Sequence, residues 1–121
     1  MAKILIVDDD LETTKLFEGI LKMGKHEATS VLESKNAIST IRSYSPDLIL
    51  LDIMMAQING ITLCKQIKSD PQMKHIPIIM VSALHDDGTK RDAANAGANE
   101  FISKPVLPKL FLEQIQALLN K

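Results

Sequence analysis

Among its 121 residues the chain has one cysteine, one tyrosine and no tryptophan. A lone Cys64 cannot close an intrachain disulfide, so a reducing, cytoplasmic setting is the default expectation. A net charge of −1, with basic and acidic residues interspersed, leaves no basic stripe, and the few rings leave no stacking platform. Direct nucleic-acid binding is therefore not expected. No apolar run approaches the roughly 20 residues that span a bilayer, and the run 4–7 stops at three aspartates instead of continuing as a secretory leader. No membrane partner is expected either. No Gly-rich Walker A loop occurs. His26, His75 and His85 are scattered without metal-ligand spacing and read as surface or loop residues.

What is present is an alternation of short apolar runs and longer amphipathic segments. Apolar residues make up 45% of the chain, enough for one domain, 1–121, to bury a core without disulfide or metal staples. The runs 4–7, 48–51 and 78–81 lack polar alternation, which suits parallel strands covered on both faces. A less pure run, 101–103, and a mixed one, 28–32, complete five strand candidates, the latter suited to a sheet edge. A helix is expected over 11–23, with Leu16, Phe17, Ile20 and Leu21 on its apolar face and Gly24 as its stop. Ser34 is placed to cap a second, with Ala37, Ile38 and Ile41, halted before Pro46. Asn59 caps a third through Ile61, Cys64 and Ile67, with Cys64 a small core residue. Pro108 opens the last, with Leu110, Phe111, Ile115, Leu118 and Leu119 turned inward. Segment 86–97 looks helical yet holds no Val, Leu, Ile, Met or Phe, so it should be weakly anchored. Five strands each followed by a helix indicate one α/β domain with helices on both faces of a parallel sheet.

In such sheets ligands bind outside the carboxyl ends of the strands, near the point where strand order reverses. Asp8, Asp9 and Asp10 follow the first strand, Asp52 the third; Ser82 ends the fourth and Lys104-Pro105 the fifth. Each alone is ordinary, since Asp caps helices, as Asp10 can here, Ser bonds its own loop, and Lys is usually solvated. Together they bring three carboxylates (Asp8, Asp9, Asp52), a hydroxyl and an ammonium to one edge. Clustered carboxylates repel unless cations compensate. Mg2+ is typically held by one or two carboxylates plus a phosphate, and an Asp carboxylate can attack phosphorus.

The motifs Ile4-Leu5-Ile6-Val7-Asp8-Asp9-Asp10, Pro46-Asp47-Leu48-Ile49-Leu50-Leu51-Asp52, Val81-Ser82-Ala83, Ala96-Gly97-Ala98 and Lys104-Pro105, in this order, resemble the receiver domain of two-component response regulators across essentially the whole chain. The resemblance implies a flavodoxin-like doubly wound sheet of strand order 2-1-3-4-5. It implies that Asp52 accepts a phosphoryl group from a histidine kinase, a phosphotransfer protein or a small phosphodonor. It implies Mg2+ held by Asp9 directly, by Asp8 mainly through water, and by Asp52 and the Met54 carbonyl. Ser82 and Lys104 would contact the phosphoryl oxygens, Ser82 and Phe101 would act as switch residues, and the bond before Pro105 would be cis. The domain would catalyse its own phosphorylation and dephosphorylation without being an enzyme in the usual sense. Activation would reshape the surface formed by segment 86–97, the fifth strand and the last helix. That change would regulate a downstream protein or output domain and gives the weakly anchored helix a mobile role; homodimerisation on phosphorylation through residues 86–121 stays open. Whether the receiver stands alone or belongs to a longer regulator is not decided by the sequence.

Three positions depart from the family pattern. Met54 and Leu84 stand two residues after Asp52 and Ser82, where polar side chains often position the hydrolytic water, so slow self-dephosphorylation is expected. Ala56 stands where Pro is common, and a loop without that fixed φ should change its mobility. Gly60 is kept where a tight approach is expected. Rival readings fit less well. A haloacid-dehalogenase-type phosphatase needs Asp-x-Asp-x-Thr, which fails at Glu12, and a flavodoxin-like flavin carrier would meet three aspartates where its phosphate loop belongs. A docking-only degenerate receiver would not need Asp8, Asp9, Asp52, Ser82 and Lys104 intact.

Overall fold

The computed structural model describes residues 2–120, so the two end residues of the expected 1–121 domain lie outside the described residues. Strands β1 (Lys3–Val7), β2 (Glu27–Val31), β3 (Leu48–Leu51), β4 (Ile78–Ser82) and β5 (Glu100–Ser103) form one sheet ordered β2-β1-β3-β4-β5. All four pairings are parallel. Helices α1 (Leu11–Met23), α2 (Ala37–Tyr44), α3 (Gly60–Ser69), α4 (Asp87–Asn95) and α5 (Pro108–Leu119) make the connections. This is the flavodoxin-like doubly wound arrangement, and the strand order reverses between β1 and β3.

The alternation of side chains along each strand splits the core in two. Leu5, Val7, Ile49, Leu51, Ile78 and Met80 face α2, α3 and α4, where they meet Ile41, Leu63 and Ile67. Ile4, Ile6, Leu48, Leu50, Ile79 and Val81 face α1 and α5. There Phe17 and Phe111 stack at 5.1 Å between ring centroids. The central strands are buried on both faces, which is why they carry no polar alternation.

Several expectations are corrected in detail. Leu16 and Leu110 are 58% and 51% exposed, because one residue away from a helical stripe turns the side chain roughly 100° out of the core. Ser34 does not cap α2: it begins a short 3-10 turn, Ser34–Asn36, and its hydroxyl is engaged with a distant loop. Gly24 closes α1 at φ −83°, and the left-handed residue is Lys25 at φ 63°. A Cβ at Gly24 would fall 2.7 Å from Leu112 Cδ2, so that side chain would have to turn aside. His26 is half-buried, with no partner for Nδ1 among the described residues, and burial pulls its pKa down. His75 and His85 are exposed as expected, Cys64 is buried and free, and Asn59 Oδ1 caps α3 by accepting from the Ile61 N–H at 2.7 Å.

The weakly anchored segment is α4. Its cap is well made, with Asp86 accepting from the Thr89 N–H and hydroxyl, but within the helix only Ala93 is buried. By contrast α1 sinks Phe17, Ile20 and Leu21. A fully buried side chain of that size is worth about 1.5–3 kcal/mol, an alanine methyl about 0.8. Amide hydrogen exchange should therefore find α4 protected about 100-fold less than α1 or α5. Equal protection of the three helices would refute this ranking.

Candidate functional site

The reversal between β1 and β3 places the residues after these two neighbouring strands side by side. Asp8, at the end of β1, is buried; its Oδ1 accepts from the Asp10 N–H at 2.9 Å and its Oδ2 from Lys104 Nζ at 2.9 Å. Asp52, after β3, is buried at 7% exposure, accepts from the Ile53 N–H at 3.0 Å, and lies 3.5 Å from Lys104 Nζ. Asp9 is exposed, and its Oδ2 accepts from the Ala56 N–H at 3.2 Å. One oxygen from each of Asp8, Asp9 and Asp52 lies within 4.8 Å of the others. Asp10 stays outside the cluster: it begins α1 and accepts from the Thr13 hydroxyl at 2.6 Å, which holds its pKa below the usual value.

Lys104 follows β5 and is anchored by its N–H donating to the Ser82 carbonyl at 2.9 Å; the bond to Pro105 is cis. Ser82 is fully buried at the end of β4, and its Oγ accepts from the Leu84 N–H at 3.1 Å. Its hydroxyl is thus turned onto its own loop. Phe101 is half-buried on β5, with Lys90 Nζ 5.9 Å from its ring centroid. Met54 and Leu84 are 62% and 42% exposed at the rim.

The site is built on close backbone approach. Gly60 donates its N–H to the Ile53 carbonyl at 2.9 Å, and a Cβ at this position would press on the Asp52 carbonyl and stand 2.8 Å from Ile53 Cα. Ser34 is the site feature that sequence reasoning missed. Its hydroxyl donates to the Ala56 carbonyl at 2.8 Å and accepts from the Ile58 N–H at 2.9 Å, binding the loop that follows Asp52. No local signal marks it, since Ser34 lies among Glu33, Lys35 and Asn36 and its partners are more than twenty residues away. The loop expected to change for want of proline is tied by both main-chain groups of Ala56.

Burial and the neighbouring Asp8 charge push the Asp52 pKa up to about 6, against the opposing pull of Lys104. Burial alone would favour loss of the Lys104 proton, but Asp8 and Asp52 outweigh it and raise its pKa. Three carboxylates against one ammonium leave two negative charges, and the donors are all hard oxygens, a set that fits a divalent cation such as Mg2+.

A doubly wound parallel α/β domain with a carboxylate cluster and a lysine at its reversal point defines the class. The chain belongs to the response regulator receiver domain family, whose model matches residues 4–116. It is 32% identical over 117 residues to the response regulator PleD of Caulobacter vibrioides, covering 97% of this chain and 26% of PleD. The chain thus spans about a quarter of that relative. It is 31% identical to the polar-differentiation response regulator DivK of Brucella ovis, covering 97% of this chain and 95% of DivK. A crystal structure of a putative response regulator from Chloroflexus aurantiacus superposes with a TM-score of 0.95 at 30% identity, covering 99% and 98% of the two chains. Receiver domains bind Mg2+ at an acidic pocket, and Asp8, Asp9 and Asp52 form an acidic cluster in this chain. No helix among the described residues is long and apolar enough to cross a membrane.

The raised pKa of Asp52 carries a stability consequence. The folded state holds this proton more tightly than the unfolded chain, so ionisation costs stability as pH rises from 3.8 through about 6. Without divalent cations, Asp52→Asn should stabilise the fold by about 2 kcal/mol near pH ~7.5, and the gain should vanish by pH ~4. Urea titrations at the two pH values check this; a gain independent of pH would refute it.

Proposed function

We propose that the domain, residues 1–121, is a phosphorylation-activated switch in which Asp52 takes a phosphoryl group from a phosphohistidine protein or a small acyl phosphate. The observation that carries this reading is the buried Asp52 carboxylate beside Asp8 and the Lys104 ammonium. An Asp52 oxygen attacks phosphorus as the bond to the donor nitrogen or oxygen breaks, and the leaving group departs with its electron pair. Asp8, Asp9, Asp52 and the Met54 carbonyl would hold Mg2+, which supplies charge neutralisation for the phosphoryl oxygens. Lys104 lies between Asp8 and Asp52 and would pair with a phosphoryl oxygen once the acyl phosphate forms.

Ser82 supports a two-state reading. Its hydroxyl now accepts from the Leu84 N–H, and turning to donate to a phosphoryl oxygen would release that loop. Phe101, half-buried between α4 and the sheet, would follow, and the lightly anchored α4 would shift with it. The reshaped α4–β5–α5 surface would then regulate a partner protein or an output domain, with homodimerisation one form that regulation can take. The fold transfers a phosphoryl group to and from itself and acts on no other substrate. A cytoplasmic site of action accords with the single, buried, free Cys64.

The deciding experiment is incubation with acetyl phosphate and Mg2+, followed by intact mass. A Mg2+-dependent phosphoryl adduct on the wild type and none on Asp52→Asn is expected. No adduct from either a small donor or a phosphohistidine protein would sink the reading.

Met54 and Leu84 set the second expectation. Both are apolar and exposed at the mouth of the site, where neither can hydrogen-bond an attacking water. The phosphorylated wild type should therefore decay about tenfold more slowly than a Met54→Asn, Leu84→Glu double variant, less than a positioned acid or base contributes because these side chains would only orient the water. Equal lifetimes in Mg2+ would overturn it.

A further inference from the structure

Helix α4 is held very differently at its two ends. At the end far from the site, its last turn is bolted to α3 and β4. The Cys64 thiol of α3 donates to the Ala96 carbonyl at 3.5 Å, a buried contact that satisfies one of the carbonyls a helix leaves open. Gly97 follows at φ 105°, and here the chain lies so close to α3 that an added Cβ would fall 2.8 Å from Lys68 Cγ. The Lys68 ammonium in turn donates to the Lys74 and Ile76 carbonyls at 3.2 and 2.7 Å, so its stem is clamped between the turn after α4 and the loop before β4. Asn99 pairs with Ile78 twice: its N–H donates to the Ile78 carbonyl at 2.8 Å, and its Oδ1 accepts from the Ile78 N–H at 2.9 Å. The buried alanines, Ala93 and Ala96, sit at this same end.

At the end nearest Ser82 the ties are local. Asp86 caps the helix by accepting from Thr89, which joins two parts of one turn and fastens neither to the sheet. Asp87, Lys90, Arg91 and Asp92 are exposed, and Lys90 Nζ stands 5.9 Å from the Phe101 ring centroid, a contact worth little at an exposed site. Leu84 leads into this end, and its N–H donates to Ser82 Oγ, the bond that a turning Ser82 hydroxyl gives up. The loop that the site can move is therefore joined to the loose end of the helix. A hydrogen-bonded rod pushed at its loose end turns about its firm one.

We propose that α4 is a lever hinged at Gly97, with Cys64, the Lys68 stem and the Asn99–Ile78 pair as its fulcrum. For what pushes the lever, the inference rests on the phosphorylation reading given above. It goes beyond that reading in fixing the motion: α4 tilts about its remote end and does not slide bodily. The change offered to a partner is then concentrated at residues 84–91, while the junction of α4 with β5 stays where it is. Lys68 is a positioning residue, touching neither cation nor phosphoryl group.

The test is distance measurement between spin labels on the full chain, one at Lys15→Cys on α1 and the other at Asp87→Cys or Asn95→Cys. All three positions are exposed, and the native Cys64 is buried and stays unlabelled. At about 1.5 Å of rise per residue, residue 87 stands about 15 Å from Gly97 and residue 95 about 3 Å. Phosphorylation by acetyl phosphate and Mg2+, verified by intact mass, should therefore shift the Asp87 distance about five times as far as the Asn95 distance. Equal shifts, or an adduct that moves neither label, would overturn the lever. Lys68→Ala should bring the ratio toward one, and Lys68→Met, which keeps the stem, should leave it unchanged. A merely structural Lys68 would lower Tm in either variant and leave the ratio alone; the wild-type ratio decides the question should Lys68→Ala not fold. If no adduct forms, the phosphorylation reading falls and the lever is judged on the resting chain. There the Asp87 distances should spread more widely than the Asn95 distances, and equal spreads refute the hinge.

Discussion

Lys104 is what allows carboxylates to share one end of the sheet. Its ammonium reaches from the end of β5 to Asp8 at the end of β1, passing Asp52 on the strand between. Asp8 and Asp52 sit on adjacent strands and are both buried, so without a cation between them their charges would meet in a low-dielectric wall. A buried pair of this kind is weak evidence for stability, because desolvation offsets most of the attraction, whereas removing one partner is strongly destabilising. Its presence is better explained by function. The lysine leaves the pocket short of positive charge, a deficit that a divalent cation can fill.

The rest of the molecule serves to hold that deficit in place. β1, β3 and β4 are buried on both faces and carry the acidic and hydroxyl residues at their ends, so the apolar core offsets the cost of a charged edge. Gly60 lets α3 start directly against the Asp52 main chain, and Ser34 anchors the intervening loop. The site is thus placed by four strand ends, the close approach at Gly60 and the Ser34 tie, which keeps its acids within reach of one ion.

The sequence made the strand ends legible. Runs without polar alternation located β1, β3 and β4 to within a residue, and at their ends stand Asp8, Asp9, Asp52 and Ser82, while the less pure run 101–103 leads to Lys104. α1 ran over the expected residues, and Asn59 and Pro108 began the helices they announced. What could not be read depended on partners distant in the chain. Ser34 looks like a helix cap because its local neighbours favour one, yet its bonds go to Ala56 and Ile58, more than twenty residues on. Leu16 and Leu110 are apolar at helical spacing but fall just outside the stripe that the neighbouring helix covers. The direction of the Ser82 hydroxyl is a rotamer choice, and no pattern of residue types records it.

The division of the core by the sheet has a mechanical meaning. On one side α1 and α5 are locked to each other through the Phe17–Phe111 stack and to the strands by large side chains. On the other, α4 rests on alanine methyls beside Phe101. Compliance is therefore uneven within that second layer, where α2 and α3 sink Ile41, Leu63 and Ile67 and α4 yields like a diaphragm set in a stiff frame. A displacement imposed at the charged edge would be relieved where resistance is lowest, so packing density, more than the chemistry at the edge, would choose which element yields.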